Sequence, residues 1–217
     1  MKLGPVAVGT VLAVIALSGC GGSSTSSSGT TAKATTASTG TAAVTPPPGT
    51  PAALRGVHGG VLLAGDLPGF VPRGYRAPST SAQSWVAGFP PEQRAAEAAR
   101  LKALGFIAGI TENLAPAQAG HANEEAVSLV EQFRSADGAT GEVANQVKQA
   151  LARGESTFAV ADIPGARGFG VSTTSHPDAN VAFPVGAYYY LVGFSSGVAT
   201  RAQLINAAQR LYSRVRG

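Results

Sequence analysis

The stretch NVAFPVGAYYYLVGF (residues 180–194) decides the fold. Its two apolar runs, Asn180–Phe183 and Ala187–Phe194, are rich in the β-branched and aromatic residues that favour strands. The Pro184-Val185-Gly186 break between them is typical of a turn. Because the connection is this short, we expect the two strands to pair antiparallel.

Further strand signals lie on the N-terminal side of this pair. The runs Phe106–Leu114 and Ala126–Phe133 predict an antiparallel hairpin, because the segment between them contains proline, glycine and asparagine. The runs Thr157–Ile163 and Gly168–Thr174 predict two more strands. Since the connections are short, we expect an antiparallel meander of five or six strands.

Three helical signals complete the folded part. They begin at Phe89-Pro90-Pro91-Glu92, at Asp137 and at Thr200, and the first two end at Leu104 and before Gly154. Thr200 and Gln203 have the spacing of a capping box. We therefore expect a single globular α+β domain over residues 54–217, an antiparallel sheet of five or six strands with helices packed on one face.

Composition limits the classes of function. The 217 residues include a single cysteine, which excludes an internal disulfide and the thiolate-rich zinc and iron–sulfur sites. Residues 54–217 contain 14 basic and 12 acidic residues, a net charge of +2, which does not indicate a polyanion-binding surface. We therefore expect no nucleic-acid partner, and no sequence motif predicts a cofactor.

The N-terminus has the shape of a secretory signal. Lys2 supplies a positive charge, residues 6–17 are almost entirely apolar, and Leu17-Ser18-Gly19-Cys20 ends the apolar run. This tetrapeptide resembles the lipobox of bacterial lipoproteins, and all four positions fit that pattern. The resemblance implies that residues 1–19 are a cleaved signal peptide and that the Cys20 sulfur carries diacylglycerol, with fatty chains such as palmitate. Such chains hold a soluble domain on a bilayer, so we expect the protein at the extracytoplasmic face of the cell membrane.

Residues 20–53 predict a tether between Cys20 and the folded domain. They are almost entirely Gly, Ser, Thr, Ala and Pro, with one charge at Lys33. A segment of this composition cannot bury enough apolar surface to offset its ordering entropy, so we expect disorder. Flexible-chain scaling gives it a reach of about 30 Å.

Two groups of residues raise the alternative of a catalytic or metal site. Gly193-Phe194-Ser195-Ser196-Gly197 matches the pattern of a nucleophile elbow, but no His, Asp or Glu follows it to complete a triad of that order. His121 stands near Glu124 and Glu125, residue types that bind zinc or iron, but these do not complete a ligand set by themselves. We therefore predict neither a catalytic residue nor a metal site here.

Tyr188, Tyr190 and Trp85 are the candidate binding residues. On a strand, Tyr188 and Tyr190 share one face and Tyr189 takes the other. Rings with hydroxyl tips suit glycan, peptide or lipid contacts, although tyrosine is also a good sheet former. Trp85 follows Ser81, a candidate helix cap, and is expected to cover one end of the core.

The sequence therefore predicts an extracytoplasmic, lipid-anchored module that binds a ligand or partner without catalysis. Its architecture is similar to the plan of small sensor-like and ligand-carrier lipoproteins of Gram-positive bacteria. The expected occupants are a small apolar molecule, a cell-wall glycan or another envelope protein. The alternative is an envelope hydrolase whose site is assembled only by folding, from residues such as His121, Glu124 and Ser195. The third hypothesis is a passive structural spacer.

Overall fold

The computed structural model describes residues 60–75, 78–118, 124–171, 178–195 and 199–216. The predicted signal peptide, the lipidated Cys20 and the tether lie outside the described residues. So do all three histidines of the sequence, His58, His121 and His176.

Within these described residues, seven strands form one antiparallel sheet in the order β1-β2-β3-β7-β6-β5-β4. The strands are β1 (Phe70–Tyr75), β2 (Phe106–Pro116), β3 (Glu125–Phe133), β4 (Ser156–Phe158), β5 (Arg167–Val171), β6 (Asp178–Val185) and β7 (Tyr188–Ser195). The α+β class, the β2–β3 hairpin and the β6–β7 pair are confirmed.

The number and order of the strands differ from the prediction. The seventh strand is β1, whose Pro72 and Gly74 interrupt the strand pattern; proline is tolerated there because β1 lies at the edge of the sheet. The sheet is not one meander, since β3 pairs with β7 and joins a β1–β3 meander to a β4–β7 meander. The predicted strand Thr157–Ile163 is only the short β4, because the chain turns at Asp162 and Gly165.

In the part of the chain that the structure describes, four α-helices accompany the sheet: α1 (Ala82–Trp85), α2 (Pro91–Leu104), α3 (Ala136–Ala152) and α4 (Arg201–Val215). Both halves of the predicted Thr200–Gln203 capping box are present at α4, and Gly105 ends α2 with a φ of 83°. The N-cap of α3 is Ser135, so that Asp137 lies inside the first turn. The short α1 was not predicted, although its N-cap is the expected Ser81.

Helices cover both faces of the sheet, which corrects the expected one-sided packing. On one face, α4 places Leu204 and Leu211 in a cluster with Val192 of β7. On the opposite face, α1, α2 and α3 pack over Phe133 and Tyr189. The physical reason is that successive residues of β7 are apolar on both faces, as strands covered on both faces require.

No helix among the described residues has the length and apolar character needed to cross a bilayer.

Candidate functional site

Five polar or aromatic side chains meet between the sheet and helices α1–α3. These residues, which we call the buried polar cluster, are Trp85, Arg100, Glu131, Glu142 and Tyr189. Glu142 is 0% exposed, Tyr189 1% and Glu131 4%. Because ionisable groups are rarely buried to this extent, the cluster is the most unusual chemical feature of the described chain.

The register of the sheet builds one side of the buried polar cluster. Gly109 of β2 lies opposite Glu131 of β3, and Glu131 lies opposite Tyr189 of β7. Opposite residues in an antiparallel sheet share a face, so the three form a row beneath α1–α3. Gly109 leaves room for the ring of Trp85, since a Cβ at this position would lie 2.9 Å from two of the ring carbons. From there the Trp85 indole Nε1 donates a hydrogen bond of 2.5 Å to Oε1 of Glu131.

The helices supply a compensated ion pair above this row. Both terminal nitrogens of Arg100 on α2 donate to the carboxylate of Glu142 on α3, the second over 3.2 Å. Arg100 Nε also donates to Glu97 over 2.7 Å, and Gln146 donates to Glu142 over 2.8 Å. A buried carboxylate needs such partners, and these contacts also join α2 to α3.

Glu131 and Tyr189 lack comparable compensation. Burial raises the pKa of Glu131 well above its ordinary value, and the negative Glu142 raises it further, although the bond from Trp85 acts in the opposite direction. Burial also raises the pKa of Tyr189, with Glu142 and Glu131 adding to the shift. Within the part of the chain that the structure describes, Glu131 Oε2 and the Tyr189 hydroxyl have no hydrogen-bond partner.

This geometry suits the uptake and release of a proton. Burial favours the neutral form of Glu131, whereas ionisation would place a second negative charge near Glu142. Helices α1–α3 cover this face of the sheet, and Glu131, Glu142 and Tyr189 are almost completely removed from solvent. A change in the charge of the buried polar cluster would therefore act on the contact between the helix layer and the sheet.

The three predicted binding residues do not form one surface. Tyr188 and Tyr190 share one face and Tyr189 takes the other, as predicted. Tyr190 is 3% exposed and stacks on Phe183 with ring centroids 5.1 Å apart, while Tyr188 is half-buried beside it. Trp85 lies on the opposite face, within the buried polar cluster. Tyr190 and Trp85 are therefore side chains of the core, separated by the sheet.

The residues of the catalytic alternative are brought together only in part. Ser195 ends β7 between Glu125 of β3 and Asp178 of β6, and these three residues occupy one row at one end of the sheet. Burial and the nearby Glu155 raise the pKa of Asp178 to about 6, although a bond from Asn180 lowers it. Glu124 lies directly before β3, at this same end. The row places carboxyl groups on both sides of a serine.

Sequence reasoning missed most of the buried polar cluster. One signal was present in β3, where Leu129, Glu131 and Phe133 alternate on one face, so that a carboxyl group stands between two apolar side chains. A carboxyl group on an apolar face indicates a buried ionisable group. Nothing local in α2 or α3 indicates that Arg100 and Glu142 would meet, because they lie 42 residues apart in the chain.

Among the residues that the structure describes, no three His, Cys, Asp or Glu side chains come together as a metal-binding group.

No protein-family model matches the sequence, and no curated protein matches it. A search of solved structures found similarity to the extracellular domain of PknH from Mycobacterium tuberculosis. The two chains are 11% identical with a TM-score of 0.42, and the match covers 68% of this chain and 82% of that one. Similarity at this level assigns no function to the present chain.

Proposed function

We propose that the protein is an extracytoplasmic lipoprotein whose folded domain binds a ligand or partner without catalysis. The observation that carries the proposal is the Leu17-Ser18-Gly19-Cys20 lipobox at the end of an apolar N-terminal run. In this proposal, cleavage before Cys20 leaves that residue as the acylated N-terminus. Several buried acyl chains, each methylene contributing about 0.8 kcal/mol, then hold the domain at the membrane surface.

A binding or sensing role is supported by the buried polar cluster. A carboxyl group with a raised pKa inside a core lowers stability, and apolar side chains would fill the same space at less cost. A passive spacer has no need of such a group. A module whose helix layer responds to an occupant or a proton can use such a group, because the Glu131 carboxyl lies at the contact between that layer and the sheet.

Mass spectrometry of the protein purified from bacterial membranes tests the anchor. We expect an N-terminal peptide that begins at Cys20 and carries the mass of a diacylglyceryl group. Cys20→Ser abolishes the diacylglyceryl modification, whereas the nearby control Ser24→Ala retains it. An unmodified Cys20 thiol in the wild-type protein would refute the lipoprotein proposal.

Native mass spectrometry of the same membrane-derived protein tests the binding role. We expect a fraction of the molecules to carry an additional mass that is lost on denaturation. Glu131→Gln, which alters the buried polar cluster at constant side-chain size, is expected to change that fraction. If the wild-type protein carries no additional mass at any protein concentration, the result favours the passive spacer.

An envelope hydrolase is the second candidate, favoured by the row in which Ser195 lies between Glu125 and Asp178. A carboxyl group with a pKa of about 6 can exchange protons near neutral pH. A panel of ester, glycoside and peptide substrates tests this candidate. Activity that disappears in both Ser195→Ala and Asp178→Asn supports it, and activity that survives both changes contradicts it.

A further inference from the structure

Residues 80–104, which we call the α1–α2 segment, form a detour between two strands that pair with each other. The segment carries α1 and α2, whereas β1 before it and β2 after it are hydrogen-bonded neighbours in the sheet. Within the described residues, none of the strand pairs of the sheet runs through the α1–α2 segment. Its movement away from the sheet would therefore leave every strand pair intact.

Both ends of the α1–α2 segment are held beside the sheet. At the N-terminal end, the backbone of Ser79 exchanges two hydrogen bonds with Gly109 of β2, at 2.9 and 3.0 Å. At the C-terminal end, Gly105 has a φ of 83°, and its carbonyl accepts a hydrogen bond of 3.0 Å from the Arg134 backbone. Hinges are commonly a few residues at the ends of elements, and these two points are placed as hinges of the segment.

Helix α2 is attached to the rest of the domain largely through polar contacts. Of its 14 residues, only Ala98 and Leu101 are buried. Its polar links go to α3, since Arg100 donates to Glu142 and Glu97 accepts a hydrogen bond of 3.2 Å from the same helix. Regions that bury few apolar side chains open at a lower free-energy cost than the core. We therefore expect α2 to separate from α3 and the sheet before the domain unfolds.

Trp85 of α1 fastens the α1–α2 segment to the sheet. Its ring lies over Gly109 and beside Phe106, with ring centroids 5.8 Å apart in the second contact. Its indole Nε1 donates a hydrogen bond to the carboxyl group of Glu131. The segment is thus joined to the sheet through a group whose charge can change.

Ionisation of Glu131 would give the closed arrangement an excess of negative charge. The charged and titratable groups that act on its carboxyl come from three other elements, and they are Glu97 and Arg100 of α2, Glu142 of α3 and Tyr189 of β7. The groups that face it from α1 and β2, an indole and a glycine, carry no charge. An ionised Glu131 would make three carboxylates around one guanidinium.

Water would compensate this charge if the α1–α2 segment moved away. Among the described residues, Glu131 Oε2 and the Tyr189 hydroxyl have no hydrogen-bond partner. Leaving such groups buried carries a desolvation penalty, which is larger for a charged group than for a neutral one. Loss of the proton from Glu131 therefore raises the free energy of the closed arrangement more than that of a hydrated one.

We propose that the α1–α2 segment is a proton-controlled lid, which lies closed on the sheet while Glu131 is neutral and opens when that carboxyl group ionises. The sheet and α3 stay in place, and opening lets water reach the buried polar cluster. This inference rests on the proposed sensing role and deepens it, because it identifies the signal as a proton and the responding element as the α1–α2 segment.

Linkage fixes the direction of the response. Burial and the negative Glu142 raise the pKa of Glu131 in the closed form, although the bond from Trp85 and the charge of Arg100 act against them. The lid is therefore held most firmly below pH 4.5, the ordinary pKa of the group. Above that value, the equilibrium constant for opening rises up to about tenfold per pH unit, until the raised pKa of the closed form is reached.

Hydrogen exchange at several pH values between about 5 and 8 tests the lid. The sample is the chain of residues 20–217 with Cys20→Ser, and the rates are corrected for the intrinsic pH dependence of chemical exchange. We expect the protection of the α2 amides to fall up to about tenfold per pH unit. We also expect urea below the unfolding transition to accelerate exchange in β6 and β7 but not in α2, because local opening exposes little surface.

Two variants and a matched control isolate the carboxyl group. Glu131→Gln keeps the side-chain size and an acceptor for Trp85 but cannot ionise, so its α2 protection is expected to be independent of pH. The control Glu92→Gln changes an exposed carboxyl of the same helix and is expected to keep the wild-type slope. Trp85→Phe, which removes the donated hydrogen bond and keeps the carboxyl, is expected to lower α2 protection at every pH without changing that slope.

Three results overturn the lid proposal. The first is wild-type α2 protection that does not change with pH, and the second is a pH response that Glu131→Gln retains. The third is α2 exchange that urea accelerates as steeply as exchange in β6 and β7, because α2 would then separate only by global unfolding. Since the assay contains no ligand and no acyl chain, its failure is distinct from a missing occupant or an unmodified Cys20, which test the proposed function.

Discussion

Glu131 is the most unusual residue of the core, because its ionisable carboxyl group is buried and has a raised pKa. It occupies a position of β3 that faces apolar helices, accepts a bond from Trp85 and lies near the negative Glu142. Its raised pKa means that the folded protein binds a proton more tightly at this group than the unfolded chain does. Folding stability must then depend on pH through this residue.

We predict that Glu131→Gln flattens the pH dependence of stability. The contribution of a protonated Glu131 is fully present below pH 4.5, the ordinary pKa of the group, and is lost as pH rises toward the raised pKa of the folded state. In that window the wild type loses up to about 1.4 kcal/mol of unfolding free energy per pH unit through this one group, and the variant does not. Urea denaturation at several pH values between 5 and 8 measures the difference.

The control for this prediction is Glu92→Gln, which changes an exposed carboxyl group in the first turn of α2. We expect its stability profile to run parallel to that of the wild type. If the profiles of Glu131→Gln and the wild type are parallel instead, Glu131 is ionised in the folded protein throughout this window.

At the scale of elements, the close approach of α2 and α3 depends on a glycine. Gly138 lies in the first turn of α3, and a Cβ there would come within 2.3 Å of the Leu104 carbonyl oxygen at the end of α2. Gly141, one turn later, would place its Cβ 2.9 Å from Cδ2 of Leu104, the end of a flexible side chain. Of these two glycines, only Gly138 faces the backbone of α2.

Gly138→Ala is expected to destabilise the protein by about 2 kcal/mol or more, because a backbone oxygen can yield only if the two helices separate. Gly141→Ala is the matched control. Its Cβ displaces only a side-chain tip, and the better helix propensity of alanine, up to about 1 kcal/mol, offsets that cost. Thermal unfolding of both variants measures the contrast, and equal melting temperatures would contradict this account of the contact.

At the scale of the whole molecule, Arg214 joins the first described segment to the last helix. Its guanidinium binds both carboxylate oxygens of Asp66, at 2.7 and 3.0 Å, and the Val61 carbonyl at 3.1 Å. These contacts span about 150 residues of sequence. They hold the first described segment against α4 on that face of the sheet.

We predict that Arg214→Gln lowers the unfolding free energy by about 1–3 kcal/mol, because it leaves the nearly buried Asp66 without its cation. Hydrogen exchange at residues 61–66 is expected to rise in the same variant. Arg134→Gln, an exposed arginine after β3, serves as the control and is expected to change neither quantity. Adding Asp66→Asn to Arg214→Gln completes a double-mutant cycle, and strict additivity of the two changes would show that the pair contributes nothing.

The sequence by itself determined the local structure of this protein. The capping box at Thr200, the C-cap at Gly105 and the alternation of Tyr188, Tyr189 and Tyr190 depend on neighbours a few residues away, so each was predicted and is present. The hairpin of β2 and β3 was predictable for the same reason, because its strands are close in sequence. The lipobox ending at Cys20 is also a local pattern, and its lipidation stays a prediction.

Only the tertiary structure decided the strand order, the covering of both sheet faces and the buried polar cluster. Pairing β3 with β7 requires a chain excursion through α3 and three strands, and no periodicity within either strand specifies the partner. That pairing brings Tyr189 opposite Glu131, and the docking of α2 on α3 brings Arg100 to Glu142. The physical reason is that local patterns fix which face of an element is apolar, whereas long-range packing decides which elements cover that face and therefore which ionisable groups are removed from water.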